Sequence, residues 1–509
     1  MNMGMALVRA PQTRDDKHGG TLMNAKPNPA LKRSADKADP KKVVGLATSS
    51  IAETLAAFVA RARNEDIPAE VRTRALHHML DAAGIAVAAT RYDHAHRVLT
   101  AVRGLGGAGS VPVFGFPARL GMRDAAMVNG YLCHGLDYDD THMAGIIHPT
   151  ASILPAVLSA AAHVGASGKA MVSAFVLGVE AAARIASVAR SGFHQVGFHP
   201  TGMVGVFGCA LAAGRLLGLN EKELAMAQGI ALSMASGSME FVEDGAWNKR
   251  LHPGWAAQAG ITAAALAREG FFGATSPYEG RFGLYNSYMG TYREQADLTL
   301  ATSGLGKTWE LLQVAIKPYP ACHLTHACID AALILKQQGV APERIKSIEA
   351  LVPEGTFKVI CVPEANKLKP ANSYDAQFSL QWLTACAFIK GKLGLAELEP
   401  GEINDPEVLA LTQKVKFGAY QDSPFPKAYS GALTVTLDDG RKISHREHIN
   451  RGAADRPLSN AEIVTKFRDN VALAFNNEVV DRMQEAMLDL EAAANAAEAL
   501  QAFSPAAAR

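Results

Sequence analysis

The hydrophobic pattern between about residues 50 and 135 predicts helices. In IAETLAAFVARA, apolar residues recur at spacings of three and four, which indicates an amphipathic helix with Ser49 or Ser50 as its N-cap. The pattern returns in IPAEVRTRALHHMLDAAGIAVAA, where Pro68 lies near the first helical position. The Gly-rich segment GLGGAGSVPVFG predicts one strand, and a further helix is predicted to start at about Met122.

Five more helical segments follow, and they are apolar on more than one face, which is typical of helices buried in a large bundle. Gly218 is predicted to end the third of them, and Asn220 to cap the fourth. Gly202, Gly205 and Gly208 recur in the third, and no strand precedes them. They therefore indicate a close approach of two helices and not a phosphate-binding loop. The segments are ASILPAVLSAAAHV, AMVSAFVLGVEAAARIASVAR, FHPTGMVGVFGCALAAGRLLGL, EKELAMAQGIALSMASG and WAAQAGITAAALAREG.

After about residue 305 the pattern changes to alternating segments rich in Val, Ile and Thr, which predict strands. They are WELLQVAIKPYPA, IKSIEALVPE, LTQKVKFGAY and ALTVTLDDGRKISHREH, the last a hairpin around Asp439-Gly440. Two helical segments lie between them, HLTHACIDAALILKQQG and DAQFSLQWLTACAFIKGKLGL. NAEIVTKFRDNVALAF and NEVVDRMQEAMLDLEAAANAAEALQAF are helical again, and we expect them to pack back on the first helices.

Together these patterns predict a mainly α protein with two domains. A large all-helical domain comprises residues 46–305 and 450–509, and a smaller α+β domain comprises residues 306–449. A chain of 509 residues is too long for a single core, which favours such a division. Residues 1–45 contain few aliphatic side chains and no uninterrupted apolar run, so they predict a disordered tail and not an export signal.

Composition narrows the classes of partner. Lys plus Arg number 50 and Asp plus Glu 49, so no overall field favours nucleic acid or an anionic membrane, and local cations must bind any anionic ligand. Six cysteines without a C-x-x-C pair argue against a zinc ribbon, an iron–sulfur cluster or a disulfide framework, and favour a cytoplasmic location. MVSAFVLGVEAAARIA is too short and too charged to span a bilayer, so we expect a soluble protein.

The richest chemistry lies in the stretch HGLDYDDTHMAGIIHPT, residues 134–150. Apolar segments that read as buried helices flank it on both sides. An unpaired polar group beside a core costs roughly 2–7 kcal/mol, so these side chains must be paired or used. A polar cluster between buried helices predicts a binding pocket. The stretch contains three carboxylates and three imidazoles, namely Asp137, Asp139, Asp140, His134, His142 and His148.

Four other segments combine cations or imidazoles with turn residues. They are residues 198–201 (FHPT), 247–252 (WNKRLH), 317–326 (KPYPACHLTH) and 377–382 (QFSLQW). Such groups suit an anionic substrate whose C–H bond is ionised, because a base can remove the proton while cations stabilise the resulting enediolate. Lys249 is predicted to precede a helix N-terminus at about Gly254, which would make an anion cradle.

Two other interpretations of these residues remain open. The carboxylates and imidazoles of residues 134–150 include metal-ligand types, but they match no H-E-x-x-H or similar spacing. Asp139, Asp140 and His134 can also be structural, as helix caps or satisfied core groups, and we favour that for these three. We interpret Asp137 and His148 as functional. Lys317 can equally be a surface lysine, and Cys322 has no nucleophile signature.

Four motifs resemble the MmgE/PrpD family, whose members include 2-methylcitrate dehydratases, cis-aconitate decarboxylases and iminodisuccinate epimerases. They are HGLDYDDTH…HPTASILPA, FHPTGMVGVFGCALAAGRLLGL, KRLHPGWAAQAGITAAALAREGFFG and KPYPACHLTHACIDAAL. The resemblance extends from about residue 50 to 490 in the same order. It implies a large helical domain, a smaller α+β lid, a homodimer, and metal-free chemistry on small polycarboxylates between the two domains.

The resemblance also implies roles for individual residues. The aspartate of LDYDD is Asp137, and the lysines of NKRLHPG and IKPYPA are Lys249 and Lys317. The histidines of HPT and FHPT are His148 and His199, and in the decarboxylases the first is the favoured proton donor.

Two departures from the family pattern concern activity. Where the family usually has Tyr after Phe-Ser-Leu-Gln, this chain has Trp382, whose indole N–H cannot accept a hydrogen bond. The loop HMAGIIHP also differs from the Trp-containing loop of some dehydratases and decarboxylases.

We therefore predict a cofactor-independent lyase acting on a small di- or tricarboxylate, most simply by dehydration as in 2-methylcitrate dehydratase. The alternatives are a dicarboxylate epimerase, a cis-aconitate decarboxylase and a catalytically lapsed carboxylate-binding protein. We expect a homodimer with no metal, nucleic-acid or membrane partner. The predicted catalytic residues are Asp137, His148, Lys249 and Lys317, and the predicted substrate-binding residues are His199, His252, Thr141, His142, His323 and Trp382.

Overall fold

The computed structural model describes residues 49–505 of the 509-residue chain. The predicted tail, residues 1–45, lies outside the described residues. Within them the chain is mainly α-helical, which confirms the predicted fold class.

The first twelve helices occupy the region that the sequence predicts to be helical. Most begin where predicted, and Ser50, Ser167 and Asn220 each accept a backbone N–H as N-cap. The helices are α1 (Ile51–Arg61), α2 (Ala69–Ala89), α3 (Asp93–Gly106), α4 (Met122–Cys133), α5 (Pro149–Val164), α6 (Gly168–Ala189), α7 (Gly192–Val196), α8 (Pro200–Leu216), α9 (Glu221–Ala231), α10 (Phe241–Asp244), α11 (Asn248–Arg268) and α12 (Leu284–Tyr288).

Nine further α-helices follow among residues 49–505. They are α13 (His326–Gln337), α14 (Phe357–Ile360), α15 (Glu364–Leu368), α16 (Ser373–Gln377), α17 (Leu380–Lys390), α18 (Pro406–Thr412), α19 (Asn460–Ala472), α20 (Asn477–Leu488) and α21 (Ala496–Ala499).

Four strands form the one sheet of more than two strands in the described part of the chain, in the order β6-β5-β7-β8. Strands β5 and β6 are parallel and the other pairs antiparallel. The predicted hairpin is present as β7 and β8, with Gly440 at φ 84° in its turn. The strands are β1 (Val111–Pro112), β2 (Arg119–Leu120), β3 (Thr141–His142), β4 (Val314–Ala315), β5 (Ile345–Val352), β6 (Val415–Ala419), β7 (Gly431–Leu437) and β8 (Lys442–Glu447).

Glycines allow the central helices to approach closely, as predicted for α8. A Cβ on Gly208 would lie 2.8 Å from the carbonyl oxygen of Gly178 on α6. A Cβ on Gly254 of α11 would lie 2.2 Å from the carbonyl oxygen of Met127 on α4. Both distances are far shorter than van der Waals contact, so these positions accept only glycine without a shift of the helices.

The C-terminal helices return to the first helices of the chain, as predicted. Helix α19 packs on α2, where a Cβ on Gly84 would lie 2.7 Å from the ring of Phe467. Lys466 of α19 donates to Oδ2 of Asp81 on α2 at 3.0 Å and to the carbonyl of Tyr138 at 2.9 Å. The C-terminal segment thus contacts the loop that follows α4. The predicted domain boundaries remain predictions.

Three predicted helix boundaries are wrong. Helix α11 begins at Asn248 and continues through Pro253, because its small residues pack against α4 and α8 and tertiary contacts outweigh the proline signal. The helix predicted over DAQFSLQWLTACAFIKGKLGL is two helices, since the Ser379 hydroxyl accepts from Trp382 N–H and caps α17. The last predicted helix ends at Leu488, and the rest of its segment forms only the short helix α21 and two 3-10 turns.

Helix α6 contains the segment that the sequence predicts to be too short and too charged to span a bilayer. Its 22 residues are long and apolar enough to cross a membrane by length and composition alone, with a mean hydropathy of 1.6. Nearly all of that window, 94%, is buried inside the protein, and Glu180 and Arg184 pair within it at 3.3 Å. A buried core helix has these same properties, so α6 is weak evidence for a membrane segment.

The close contact of α4 with α11 predicts opposite outcomes for two Gly→Ala substitutions. Gly254→Ala should destabilise the protein by about 1–3 kcal/mol, because its methyl group overlaps the α4 backbone. Gly104→Ala on α3, where no atom lies within 4 Å of the new Cβ, should be neutral or stabilise by up to about 1 kcal/mol. Urea unfolding of both variants measures this. Equal effects would contradict the proposed packing.

Candidate active site

A cavity of about 150 Å³ lies between the helical part and the part that contains the four-stranded sheet. The helical part contributes residues of the central stretch and of α11, and the other part contributes Lys317, His323 and side chains that follow β5. Seven of the ten predicted site residues line the cavity, namely Asp137, Thr141, His148, His199, Lys249, Lys317 and His323. His252 does not line it and lies behind His199.

The centre of this cavity is a single carboxylate shared by two lysines. Lys249 Nζ donates to Asp137 Oδ1 at 2.7 Å, and Lys317 Nζ donates to the same oxygen at 2.9 Å. Lys317 also donates to the Asp137 carbonyl at 2.8 Å. The other carboxylate oxygen, Oδ2, is buried and has no protein partner within residues 49–505. One acceptor is therefore left for a substrate group.

Burial and charge act in opposite directions on this triad. Burial alone would raise the pKa of Asp137, but the positive charges of Lys249 and Lys317 outweigh it and hold the pKa well below its usual range. Burial would lower the pKa of Lys317, but Asp137 and then Asp139 outweigh it, and that pKa lies above its usual value. Asp137 and Lys317 are therefore charged at neutral pH, and with the formal charge of the Lys249 ammonium the triad has a net charge of about +1.

Two backbone positions at the cavity adopt left-handed conformations. Asp137 has φ 50° and Ile146 has φ 51°. A β-branched residue such as isoleucine rarely occupies this region, and residues in such conformations cost of order 1–3 kcal/mol. Their presence in adjoining turns of the same cavity shows that tertiary contacts, and not local preference, determine the shape of the loop between α4 and α5.

His148, the N-cap residue of α5, presents one fixed face to the cavity. Its Nδ1 lies 2.6 Å from the carbonyl oxygen of Asp140, which can only accept, so Nδ1 carries the proton. The Nε2 atom is therefore a lone-pair acceptor in the neutral ring. Burial, followed by the charge of Lys317, lowers the pKa of His148 well below its usual value. In the ligand-free protein this ring is neutral.

A second layer fixes Asp140. Its side chain accepts from the Thr150 hydroxyl, and its Oδ2 lies 2.8 Å from Nδ1 of His78 on α2. Its Oδ1 accepts from Thr150 N–H at 3.3 Å, in the first turn of α5. The predicted capping role thus applies to Asp140, which also presents its carbonyl to His148. Asp139 pairs instead with His134, at 2.8 Å from Nδ1.

Three imidazoles cluster beside the triad. The ring centroids of His134 lie 4.9 Å from His148 and 5.8 Å from His199. His199 Nδ1 lies 2.9 Å from Nδ1 of His252, so one of these rings donates to the other. Burial lowers the pKa of each, in His252 to about 4. His134, His148 and His199 could ligate a metal by distance, but the neighbouring ammonium groups oppose a cation.

The proton of His323 is also fixed by its neighbours. Asn450 Oδ1 accepts from Tyr429 N–H at 3.1 Å, so the amide nitrogen faces the other way and donates to His323 Nε2 at 2.7 Å. In the neutral ring the proton is therefore on Nδ1, which has no partner among the described residues. Burial lowers the pKa of His323 well below its usual value. His323 thus offers an N–H donor.

Besides His252, two predicted substrate-binding residues do not line the cavity. Trp382 is fully buried against the sheet, and its indole N–H donates to the carbonyl of Ile403 at 3.3 Å. His142 points the other way, where its Nε2 lies 3.0 Å from Glu310. Adjacent residues on a strand point to opposite faces, so only Thr141 of this pair enters the cavity.

Gln377 and Phe378 of the QFSLQW segment also contribute to the site. Gln377 donates to the carbonyls of Leu136 and Pro320 at 2.7 and 2.8 Å, which ties the loop of Asp137 to the turn after Lys317. Phe378 lies under Lys249, with Nζ 4.8 Å from its ring. The QFSLQW motif therefore acts through its first two residues. His194, Lys358 and Tyr429 line the cavity and carried no signal in the sequence.

A profile of the MmgE/PrpD N-terminal domain matches residues 53–296, and one of the MmgE/PrpD C-terminal domain matches residues 319–492. Cis-aconitate decarboxylase of Homo sapiens is 31% identical over 398 residues, covering 75% of this chain and 79% of that protein.

Two further relatives match over most of their length. Cis-aconitate decarboxylase of Mus musculus is 28% identical over 454 residues, covering 87% of this chain and 91% of that protein. 2-Methylcitrate dehydratase of Escherichia coli (strain K12) is 25% identical over 455 residues, covering 84% of this chain and 91% of that protein. Both names denote lyases. The chain therefore belongs to the MmgE/PrpD family and is an enzyme of its lyase type.

Proposed function

We propose that this lyase decarboxylates a small tricarboxylate, with cis-aconitate as the first candidate. The observation that carries the proposal is the buried triad of Asp137, Lys249 and Lys317 beside a neutral His148. The sequence alone favoured dehydration of 2-methylcitrate. The decarboxylases of Mus musculus and Homo sapiens are 28% and 31% identical to this chain, against 25% for the Escherichia coli dehydratase, and this difference favours decarboxylation.

The two lysines would bind carboxylates of the substrate. The triad has a net charge of about +1, and the N–H of His323 adds a neutral donor. When the bond to the departing carboxylate breaks, its electron pair remains on the carbon chain and delocalises into a neighbouring carboxylate. A buried ammonium stabilises this developing charge more strongly than water does, because the site is already oriented.

His148 would supply the proton that ends the reaction. In the free enzyme its pKa is low, so it must first gain a proton. A bound trianion counteracts the lysine charges and favours the imidazolium, which then donates from Nε2 to the carbanion. The carbon–carbon bond breaks, carbon dioxide leaves, and one proton passes to carbon, so atoms and charge balance.

Dehydration is the second candidate, and the free lone pair of His148 Nε2 favours it. That atom could remove a proton from carbon while an ammonium of Lys249 or Lys317 protonates the leaving hydroxyl. Epimerisation would use the same base without a leaving group. All three reactions need the same charged triad and no metal or cofactor.

We also propose a homodimer in the cytoplasm. Trp247, Leu251 and Trp255 are partly exposed at intervals of four residues on α11 and form an apolar stripe that suits a subunit interface. The six cysteines are all buried and unpaired, which suits a reducing compartment.

The reaction type is tested by incubating the protein in D2O with cis-aconitate, 2-methylcitrate, citrate and iminodisuccinate. We expect NMR to show cis-aconitate converted to carbon dioxide and an unsaturated dicarboxylate with deuterium on carbon. His148→Ala should lower the rate by about 10²–10⁴, because a general acid–base group is lost.

His163→Ala at the exposed far end of the same helix is the matched control and should retain the rate. A chelator should not affect the rate of the wild-type enzyme. An alkene from 2-methylcitrate alone would establish dehydration. Deuterium uptake without an alkene would indicate epimerisation, and no reaction with any substrate would contradict the proposal.

Proton uptake on binding tests the role of His148. Because its pKa in the free protein lies well below 6.5, the ring is neutral at pH 7, and a bound trianion should draw up to about one proton per site. Affinity should therefore fall as pH rises through the pKa of the bound state. Titration calorimetry with propane-1,2,3-tricarboxylate in buffers of different ionisation enthalpy measures this. Uptake that persists in His148→Ala would contradict the role.

A further inference from the structure

Arg250, the neighbour of Lys249 in the first turn of α11, is a buried cation without a counterion. Only 6% of the residue is exposed. Its Nε and Nη1 atoms are buried and have no hydrogen-bond partner within residues 49–505, and no carboxylate there forms an ion pair with it. The two other buried cations nearby, Lys249 and Lys317, share Asp137.

The groups around Arg250 supply neutral polar atoms and aromatic surface. Its guanidinium carbon lies 4.5 Å from the ring centroid of Tyr374, whose buried hydroxyl has no partner in the described part of the chain. The Nδ1 atom of His94 is likewise buried and unpartnered, and that ring lies 5.6 Å from the ring of Trp247. Burial, followed by the charge of Arg250, lowers the pKa of His94 to about 3, so His94 adds no charge.

An unpaired buried charge costs several kcal/mol, and a buried ion is normally paired. Here one guanidinium with two unpartnered nitrogens lies over the Tyr374 ring, and no carboxylate of residues 49–505 forms an ion pair with it. The N-terminal end of the 21-residue helix α11 adds partial positive charge at the same place. One negative charge would neutralise this arrangement.

We propose that one small monovalent anion, such as chloride, binds beside Arg250 against Tyr374 and His94. A monovalent ion matches the single guanidinium charge, whereas a dianion would leave an uncompensated buried charge. Chloride accepts N–H and O–H donors from any direction, so it suits a site built from a guanidinium edge and a phenol. The ion would stabilise the turn of α11 that carries Lys249.

Thermal unfolding at constant ionic strength tests the site. With sodium chloride replacing sodium gluconate stepwise, the wild-type Tm should rise and saturate, because an ion that binds only the folded protein stabilises it by mass action. Sodium bromide should act likewise. Arg250→Met should abolish the saturable rise, and Arg250→Lys should move its midpoint to about tenfold higher concentration, since the guanidinium edge is lost.

Arg268→Met is the matched control, because Arg268 is a half-exposed residue at the other end of the same helix and should leave the chloride response unchanged. Crystals soaked in bromide should show an anomalous peak beside Arg250. A wild-type Tm without a saturable chloride response would overturn the proposal, as would an equal response in Arg250→Met. A change in sedimentation of Arg250→Met without any chloride effect would assign the counterion to a carboxylate of a second copy, and would also overturn it.

Discussion

Two ammonium groups and one carboxylate, buried together, are the constraint on which the site depends. Lys249 and Lys317 lie 68 residues apart in the sequence, and both donate to one oxygen of Asp137. Without Asp137, burial would lower the pKa of Lys317, and without the two lysines, burial would raise the pKa of Asp137. The triad therefore joins the helical part to the sheet-containing part and also prepares the charge that an anionic substrate needs.

A surrounding layer determines how precisely this triad is placed. Gln377 bridges the loops of Asp137 and Lys317, and Lys466 reaches from α19 to the carbonyl beside Asp137. Asn450 and Asp140 fix which nitrogen of His323 and His148 carries the proton. These partners come from separate parts of the chain, so the orientation of the site is a property of the whole fold.

The sequence predicted what depends on local pattern. Helical spacing, the caps Ser50 and Asn220 and the hairpin at Gly440 are local, and the structure confirms them. The family motifs contain seven of the predicted site residues that line the cavity. Trp382 lies away from the cavity, because a motif does not tell which of its side chains faces inward, and Gln377 and Phe378 of that segment reach the site instead.

His142 lies away from the cavity for a related reason, since the alternation of side chains along a strand points it to the face opposite Thr141. The early start of α11 depends on packing against α4, which no window of sequence contains. Asn450 and His78 could not be predicted, because single polar residues in a long chain carry no pattern and matter only through contacts distant in sequence.

The most direct test is a titration of Lys317 by NMR in protein labelled with ¹³C at lysine Cε, with the signal assigned from Lys317→Met. In the wild type, Asp137 and then Asp139 outweigh burial, so Lys317 should stay charged and show no step up to the ordinary lysine pKa of about 10.4. In Asp137→Asn burial should prevail, and the pKa should fall by more than about one unit. A wild-type Lys317 that titrates below its ordinary value, or a pKa unchanged by Asp137→Asn, would contradict the account.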